Sequence, residues 1–430
     1  MHLALPRENF YLGKGFPSNF LEDKVMTDPS ADHAGRVRAI QAAIRAQRLD
    51  GWLFYDFWKQ NIFAQRILRI PEHLIQSRRF FYFIPAEGEP RKLVHSIERW
   101  NLDHLPGEPL VYLSWQSLQQ GLNTLLDGAK TVAMEYSPKN AIPYVSKVDG
   151  GTVELVRSCG VQVVSSADLV QYFEARWTEE QYRQNLKTAS ILRSIVDRVF
   201  AFIRKKVETG SRVTEYDVQQ FMLAKFRENG LTTEMAPNCS VNANSSNPHY
   251  EPTEEIHAEI RAGDFVLIDL WAKSKKGGST YADITWTAFV GTEVPEEYTK
   301  VFDVVKGARD AAVEFIREAF RNGRPIRGCD VDDVARGFIR ERGYEQFFLH
   351  RTGHSIGEDL HGNGANIDNL ETRDERLIVP ETSFSIEPGI YFFDKFGVRS
   401  ELDVFVTRDG DVVVTGLPVQ EEVIPILRWG

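Results

Sequence analysis

The segment Val266–Thr287, VLIDLWAKSKKGGSTYADITWT, constrains the fold more than any other part of the chain. Two runs of strand-favouring residues flank a polar turn that contains Gly277 and Gly278, and this pattern predicts a β-hairpin. Its two strands carry Asp269 and Asp283. Carboxylates directly opposite each other on neighbouring strands repel, so we expect a positive group between them. The alternative is that both side chains point into solvent at the mouth of the hairpin.

The length of 430 residues exceeds the size at which a single hydrophobic core stops growing, so two domains are expected. The first part alternates helix-like and strand-like segments, which indicates an α/β domain with a mixed sheet. Its aromatic-rich segment, which includes Trp52 and Trp58, is typical of core and interface packing. We predict a helix over His33–Ala46 and strands in the segments that begin at Gly51, Arg78, Lys92, Lys130 and Val161.

A second domain is predicted to begin near Arg176–Thr178, where Thr178 and Gln181 form a capping-box pattern ahead of a long amphipathic helix. A shorter helix and the hairpin follow. The order then recurs, with a long helix from Pro295 and a shorter helix capped by Asp330, followed by strands. We therefore predict two domains, 1–175 and 176–430, the second an internally duplicated α+β domain.

Composition and charge exclude several classes of protein. The net charge of −10 and the lack of a lysine or arginine cluster argue against a nucleic-acid partner. No apolar run approaches the roughly 18 residues of a membrane helix, and the segment MHLALPRENFYLGKG has no signal-like apolar region. The three cysteines are far apart, as in a reducing compartment, and are expected to be small buried side chains. We expect a cytoplasmic protein without a membrane partner.

Three histidines lie close together in HRTGHSIGEDLHG, namely His350, His354 and His361. Gly353 and Gly357 flank the middle one. A single histidine is often structural, but flanking glycines allow the backbone to approach a ligand closely. The pattern therefore favours a functional role for this segment.

Two further carboxylates follow. Glu387 ends an apolar run in FSIEPGIYF, and Pro388 restricts it to an extended conformation. In the segment GVRSELDVFVT, Arg399, Glu401 and Asp403 alternate on one face of a predicted strand. A solvated edge strand is the alternative interpretation.

Two aspartates, two glutamates and one histidine, without a thiolate, make a set of hard oxygen ligands with one nitrogen. Such a set suits Mn²⁺ best, with Co²⁺ or Zn²⁺ as alternatives. Four carboxylates exceed the need of one divalent ion, so we expect two ions, about 3.5–4 Å apart. Ions in this arrangement activate water for hydrolysis.

The five residues also carry a resemblance. Asp269, Asp283, His354 in GHSIG, Glu387 in IEPGIY and Glu401 in VRSELD resemble the metal ligands of the pita-bread metallopeptidases, which include methionine aminopeptidase, aminopeptidase P and prolidase. The resemblance extends over roughly 178–430. The N-terminal part resembles the creatinase/prolidase N-terminal domain more loosely. The implied fold class is an α/β creatinase-like N-terminal domain with an internally duplicated α+β pita-bread C-terminal domain.

The N-terminal domain disfavours methionine aminopeptidase, which lacks it. The intact ligand set disfavours creatinase, which uses no metal. The resemblance therefore implies an Xaa-Pro dipeptidase (prolidase) that cleaves a small peptide with proline after the scissile bond. Aminopeptidase P is the close alternative, and a non-catalytic binding protein on the same fold is a more distant one. A homodimer is also implied.

The resemblance assigns roles to individual residues. Asp269 would bind one ion, Asp283 and Glu401 would bridge, and His354 with Glu387 would hold the other ion. Glu387 would also be the general base and acid. The substrate would be oriented, and the developing oxyanion stabilised, by His249, His350 and His361. Arg399 would hold the metal ligands in place.

Some positions depart from the family pattern. Trp286 occupies a position where arginine is typical, Met235 one where tyrosine is common, and Asn242 replaces a glycine. The turn between Asp269 and Asp283 is also longer than usual. We expect these departures to affect an outer proton relay and to leave the metal centre intact, so that Trp286→Arg would change the rate only modestly.

Overall fold

The computed structural model describes residues 32–428, so the prediction for the N-terminal segment lies outside the described residues. The chain divides into two compact units, Met1–Glu174 and Ala175–Gly430. The roles assigned to the two predicted domains, 1–175 and 176–430, stay predictions. Within the described range, no helix combines the length and apolar character needed to cross a membrane.

The first unit is a six-stranded mixed sheet with helices. Its elements, in chain order, are α1 His33–Ala46, β1 Gly51–Asp56, α2 Ile62–Ile67, β2 Phe80–Pro85, β3 Arg91–His95, β4 Pro109–Tyr112, α3 Trp115–Leu125, β5 Thr131–Met134, α4 Gly150–Arg157, β6 Gln162–Ser165 and α5 Ala167–Glu174. The strand order is β4-β3-β2-β1-β5-β6. The predicted helix and all five predicted strands are present, whereas β4 was not anticipated.

Strands β1 and β2 are buried along their whole length, because separate hydrophobic clusters cover the two faces of the sheet. Trp52 lies in this core, as predicted, whereas Trp58 is exposed. The cysteines are free; Cys239 and Cys329 are buried as expected, but Cys159 is only partly buried.

A buried carboxylate links several elements of the first unit by hydrogen bonds. Glu135 accepts hydrogen bonds from Trp52 Nε1 at 2.6 Å, Asn61 Nδ2 at 2.7 Å and Ser166 Oγ at 3.2 Å. Burial raises the pKa of Glu135 to about 7, although these donors favour its charged form. One side chain thereby connects β1, the end of β5 and the first turns of two helices.

The second unit contains two successive sets of helices and strands. Its elements are α6 Glu179–Glu208, α7 Glu215–Glu228, β7 Leu231–Thr232, β8 Asn238–Val241, β9 Phe265–Ser274, β10 Ala282–Phe289, α8 Glu296–Arg321, α9 Gly328–Glu341, β11 Ser355–Ile356, β12 Ser383–Ile386, β13 Gly389–Phe392, β14 Phe396–Arg399, β15 Leu402–Val406, β16 Val412–Val414 and β17 Ile424–Pro425. The order long helix, short helix, strands occurs twice, as the sequence predicts.

Helix boundaries follow the local capping chemistry. Thr178 and Gln181 cap α6 reciprocally, as predicted. The predicted cap of α9 is wrong: the helix begins at Gly328 after Arg327, and Asp330 lies in its first turn. From there the Asp330 carboxylate accepts the Arg327 backbone N–H at 2.8 Å, so it caps the helix from inside rather than preceding it.

The strands of the second unit form separate sheets. Strands β17, β10, β9 and β7 follow one another in the first, with β8 also paired to β9; β11, β12, β15 and β16 form the second, and β13 pairs with β14. The prediction of one continuous strand from Gly397 is wrong. The segment is interrupted at Ser400 and Glu401, because β14 pairs with β13 whereas β15 pairs with β12. Two hydrophobic clusters, one beneath α6 and α7 and one beneath α8 and α9, support these sheets.

Candidate metal centre

The β9–β10 hairpin brings two carboxylates to one face of its sheet. Asp269 pairs with Thr285 and Asp283 pairs with Trp271, so the two aspartates are diagonal neighbours and not directly opposed. Thr285 Oγ1 lies 3.0 Å from Asp269 Oδ1. The expected positive group is Arg399, which donates to Asp269 Oδ2 and, through Nε at 3.0 Å, to Thr285 Oγ1.

The break between β14 and β15 directs further carboxylates toward β10. Glu401 Oε2 lies 2.7 Å from Thr285 Oγ1, so one threonine hydroxyl contacts a carboxylate of β9 and a carboxylate from the segment between β14 and β15. Asp403 Oδ2 accepts the backbone N–H of Asp283 at 2.8 Å. Arg399, Glu401 and Asp403, which the sequence placed together, therefore all converge on β10.

His354 and Glu387 approach from the other half of the unit. His354 Nε2 lies 3.8 Å from Asp283 Oδ2 and 3.5 Å from Glu387 Oε1. Nδ1 of His354 is 3.1 Å from Ser355 O, and donation of its proton there leaves the Nε2 lone pair facing the carboxylates. Ser385 holds both residues, because its Oγ accepts the His354 N–H at 3.0 Å and donates to Glu387 Oε1 at 3.1 Å.

The arrangement suits a cation. Ligand atoms of Asp283, His354 and Glu401 all lie within 4.8 Å of one another. Asp283 Oδ1 and Glu401 Oε1 are buried without a hydrogen-bond partner among the described residues. A buried carboxylate oxygen without a partner is costly, and a divalent ion supplies the interaction that such oxygens lack. Asp269 and Glu387 flank these three residues and extend the possible ligand set.

Electrostatics support the same interpretation. Burial, followed by the charges of Asp269, Asp403 and Glu387, raises the pKa of Asp283 well above its ordinary value. Burial and the charge of Asp283 do the same to the pKa of Glu401. Burial raises the pKa of Glu387 to about 7 despite the opposing effect of Arg399. Crowded carboxylates resist ionisation without more positive charge than Arg399 provides, and a bound cation supplies that charge.

The predicted substrate-side histidines surround this cluster at different distances. The rings of His354 and His361 have centroids 4.3 Å apart. His361 is exposed, yet desolvation, Arg351 and His249 lower its pKa to about 4. His249 is exposed, on the loop after β8. Both histidines are therefore at the surface, and His361 adjoins His354.

His350 differs, because both of its ring nitrogens have partners. Nδ1 lies 2.7 Å from Arg351 O, and Nε2 lies 2.8 Å from the hydroxyl of Tyr391. That hydroxyl accepts a hydrogen bond from Arg399 at 3.1 Å. Burial and Arg399 lower the pKa of His350 to about 3, so its ring is neutral at pH 7. The structure thus links His350 to Asp269 through Tyr391 and Arg399.

Sequence reasoning missed Thr285, Ser385 and Tyr391. Thr285 and Ser385 each lie two residues from a predicted ligand, and this spacing was the available signal. Tyr391 lies in β13, four residues after Glu387, which is outside that strand. None of the three stands out by residue type, since threonine, serine and tyrosine are common in strands.

Trp286 lies in the hydrophobic core, and the expected modest effect of Trp286→Arg on the rate stays a prediction. Residues alternate along β10, so Trp286 points away from Asp283 and Thr285 into the hydrophobic cluster beneath α6. Its ring centroid lies 4.0 Å from Cζ of Arg193. The difference from the family pattern at Trp286 therefore concerns core packing and not a proton relay.

The other departures also have local explanations. Asn242 has φ = 47°, a left-handed conformation that asparagine tolerates better than most residues. Its side chain donates to Asp264 and accepts the backbone N–H of Phe265, each at 2.8 Å. Met235 is exposed. Asn242 thus fulfils the conformational role of the glycine that it replaces.

Comparison with known proteins agrees with this geometry. The sequence profile of metallopeptidase family M24 matches residues 185–408. A probable dipeptidase, PepE, of Mycobacterium tuberculosis is 33% identical over 181 residues, 42% of this chain and 44% of the relative. A putative Xaa-Pro aminopeptidase of Mycoplasma genitalium is 27% identical over 231 residues, 53% of this chain and 58% of the relative. The aligned region thus spans about half the length of these relatives.

A solved structure resembles nearly the whole chain. The Xaa-Pro dipeptidase of Bacillus anthracis aligns with a TM-score of 0.60 over 91% of this chain and 100% of that one, at 19% identity. Similarity at this level of identity establishes the fold, and it confirms the predicted fold class of an α/β domain followed by a pita-bread domain. The match to the family profile covers just over half of the chain and contains every carboxylate and histidine of the cluster, so the chain belongs to metallopeptidase family M24.

Proposed function

We propose that this protein is an Xaa-Pro dipeptidase that uses two divalent metal ions. The observation that carries the proposal is the pair of partnerless, buried oxygens on Asp283 and Glu401 beside the lone pair of His354 Nε2. Family membership implies divalent metal ions. The related proteins include a probable dipeptidase and a putative Xaa-Pro aminopeptidase, which supports hydrolysis of short peptides.

Asp269, Asp283, His354, Glu387 and Glu401 would hold the ions. Their oxygen-rich composition favours Mn²⁺, with Co²⁺ or Zn²⁺ as alternatives. When bound, such ions lower the pKa of water and polarise the carbonyl of the scissile bond. Asp283 and Glu401 would hold an ion together with His354, because ligand atoms of the three lie within 4.8 Å of one another, whereas Arg399 and Thr285 restrain the Asp269 carboxylate.

Glu387 is proposed as the proton carrier. Its side chain is 15% exposed and that of Asp269 is 14% exposed, against 5% for Asp283 and 6% for His354, so Glu387 and Asp269 are the more open members of this group. Ser385 fixes one of its oxygens. From this position Glu387 would take a proton from the attacking water and return it to the leaving nitrogen.

The histidines would position the substrate. His361 and His249 are exposed, and either imidazole would donate a hydrogen bond to the carbonyl oxygen as charge develops on it. His350 would reach substrate only if Nε2 left Tyr391. In the arrangement observed, His350 supports Tyr391 and, through it, Arg399.

The alternatives are an Xaa-Pro aminopeptidase and, more distantly, a binding protein without activity. Hydrolysis of Ala-Pro and of Ala-Pro-Ala by the Mn²⁺-loaded protein separates them. Faster cleavage of the dipeptide is the result we expect. Preferential cleavage of the tripeptide would favour the aminopeptidase, and a metal-loaded protein that cleaves neither would favour the binding protein.

We also propose that the protein is a cytoplasmic homodimer, as the family resemblance implies. Light scattering at micromolar concentration should give about twice the chain mass of 49.1 kDa. A particle with the mass of one chain would contradict this assembly.

A further inference from the structure

An apolar layer adjoins the carboxylate cluster in the second unit. At four places, within β9 and β15 and at the starts of β10 and β11, the residue two positions from a member of the cluster is hydrophobic and belongs to one group of packed side chains. These residues are Trp271, Tyr281, Ile356 and Phe405, which lie two positions from Asp269, Asp283, His354 and Asp403 respectively. Residues two apart on a strand share a face and are about 7 Å apart. The apolar side chains therefore form the next layer on the face that carries the cluster.

Most of this layer is closed. Tyr281, Ile356 and Phe405 are at most 4% exposed, and the ring of Phe405 stacks on Trp177 and Tyr182. Trp271 and Leu360 are only partly buried. Leu360 immediately precedes His361. Tyr182, Trp271 and Leu360 thus form the open part of the layer, and Leu360 adjoins a histidine proposed to meet substrate.

Trp271 has the position of a residue that contacts a ligand. It pairs directly with Asp283 across the hairpin, so its side chain emerges on the cluster face beside that carboxylate. Its indole N–H is buried and has no hydrogen-bond partner among the described residues. A buried donor without a partner costs free energy, and a carbonyl or carboxylate oxygen of a bound peptide would remove that cost.

The next polar side chain beyond Trp271 already has partners within the protein. Lys273, the next residue on the same face of β9, donates from Nζ to the backbone oxygen of Glu358 and lies 4.7 Å above the Tyr281 ring. No member of the apolar layer carries a charge. A side chain that extends from the cluster along β9 therefore meets the indole of Trp271 before it meets the polar rim.

We propose that Trp271 is a specificity-determining residue that contacts the substrate and favours a large apolar residue before the proline. The inference rests on the proposed function and names the substrate class of the same site. The indole face would cover the apolar side chain of the substrate, and Leu360 would border it. Trp271 takes no part in proton transfer or metal binding.

The test compares hydrolysis of Phe-Pro and Gly-Pro by the metal-loaded wild type and by Trp271→Ala, Trp271→Phe and Trp271→Leu. We expect Trp271→Ala to lower the ratio of kcat/KM for Phe-Pro to that for Gly-Pro roughly tenfold, mainly through KM. Trp271→Phe should keep most of the preference because it retains an aromatic face. The leucine variant serves if the alanine variant does not fold. Metal content should be unchanged.

Trp100→Ala is the matched control, since Trp100 is 66% exposed in the first unit and should leave the ratio unchanged. Equal losses for both dipeptides in the folded Trp271 variants would overturn the proposal and make Trp271 a packing residue. If the wild type cleaves neither dipeptide, the proposed function fails. Calorimetric titration of the purified protein with both dipeptides then tests Trp271 separately. Tighter binding of Phe-Pro by the wild type than by Trp271→Ala supports its role, and equal or absent binding overturns it.

Discussion

Replacing Glu387 with Gln separates proton transfer from metal binding. Glutamine keeps the size of the side chain and an oxygen that can accept from Ser385 Oγ, which lies 3.1 Å from Glu387 Oε1. It cannot carry a proton between water and the leaving nitrogen. The variant therefore removes one function of the residue while it disturbs the packing around His354 little.

The magnitude follows from the role. Loss of a general acid or base lowers turnover about 10²- to 10⁴-fold, which corresponds to about 3–5 kcal/mol in the activation free energy. Because Asp269, Asp283, His354 and Glu401 remain, we expect the variant to retain most of its metal. A fall in kcat without a comparable fall in bound metal is the predicted signature.

The assay measures kcat for Ala-Pro at matched metal occupancy, together with metal content by mass spectrometry. Glu296→Gln is the control, since the Glu296 side chain is 78% exposed on α8 and the same chemical change there should be silent. Near-normal turnover of Glu387→Gln would refute the proton-carrier role. Complete loss of metal would show that Glu387 acts chiefly as a ligand.

Three further variants test other parts of the account. Asp283→Asn should lower metal occupancy itself, measured by mass spectrometry, because it removes a charge from the centre of the ligand group; unchanged occupancy would contradict the assignment. Trp286→Arg should lower the free energy of unfolding by at least about 3 kcal/mol, because it places a charge in the core beside Arg193. A thermal unfolding curve identical to that of the wild type would contradict the packing described. Glu135→Gln tests pH dependence. The folded pKa of Glu135 is raised from 4.5 to about 7, so the folded state binds the proton more tightly and this group's contribution to stability declines as pH rises from about 4.5 to 7. Denaturant titrations at several pH values should show that Glu135→Gln lacks this decline in stability. If the stability of the variant and of the wild type depended on pH in the same way, the raised pKa of Glu135 would be contradicted.

Much of the fold is readable from local sequence chemistry. Turn glycines and strand-favouring residues predict the β9–β10 hairpin, and the reciprocal cap of Thr178 and Gln181 predicts the start of α6. The duplicated order of helices and strands follows from the same signals. These features depend on neighbours in sequence, which is why the residues alone specify them.

The composition of the candidate site is likewise readable, but its contacts are not. Pairing of Asp269 with Thr285 depends on strand register, which turn length and packing fix together. The break at Ser400 arises because two segments pair with different strands. The side of β10 on which Trp286 lies was inferable from alternation with Asp283, and analogy with a family motif obscured it.

Metal content decides whether this cluster is a metal centre. The protein, purified under reducing conditions, depleted with chelator and then dialysed against Mn²⁺, should bind about two ions per chain, with a marked loss of binding in Asp283→Asn. Binding of about two ions that depends on Asp283 is the predicted result. A wild type that binds no divalent ion, or an Asp283→Asn variant that binds as many ions as the wild type, would contradict the assignment of this cluster as a metal centre.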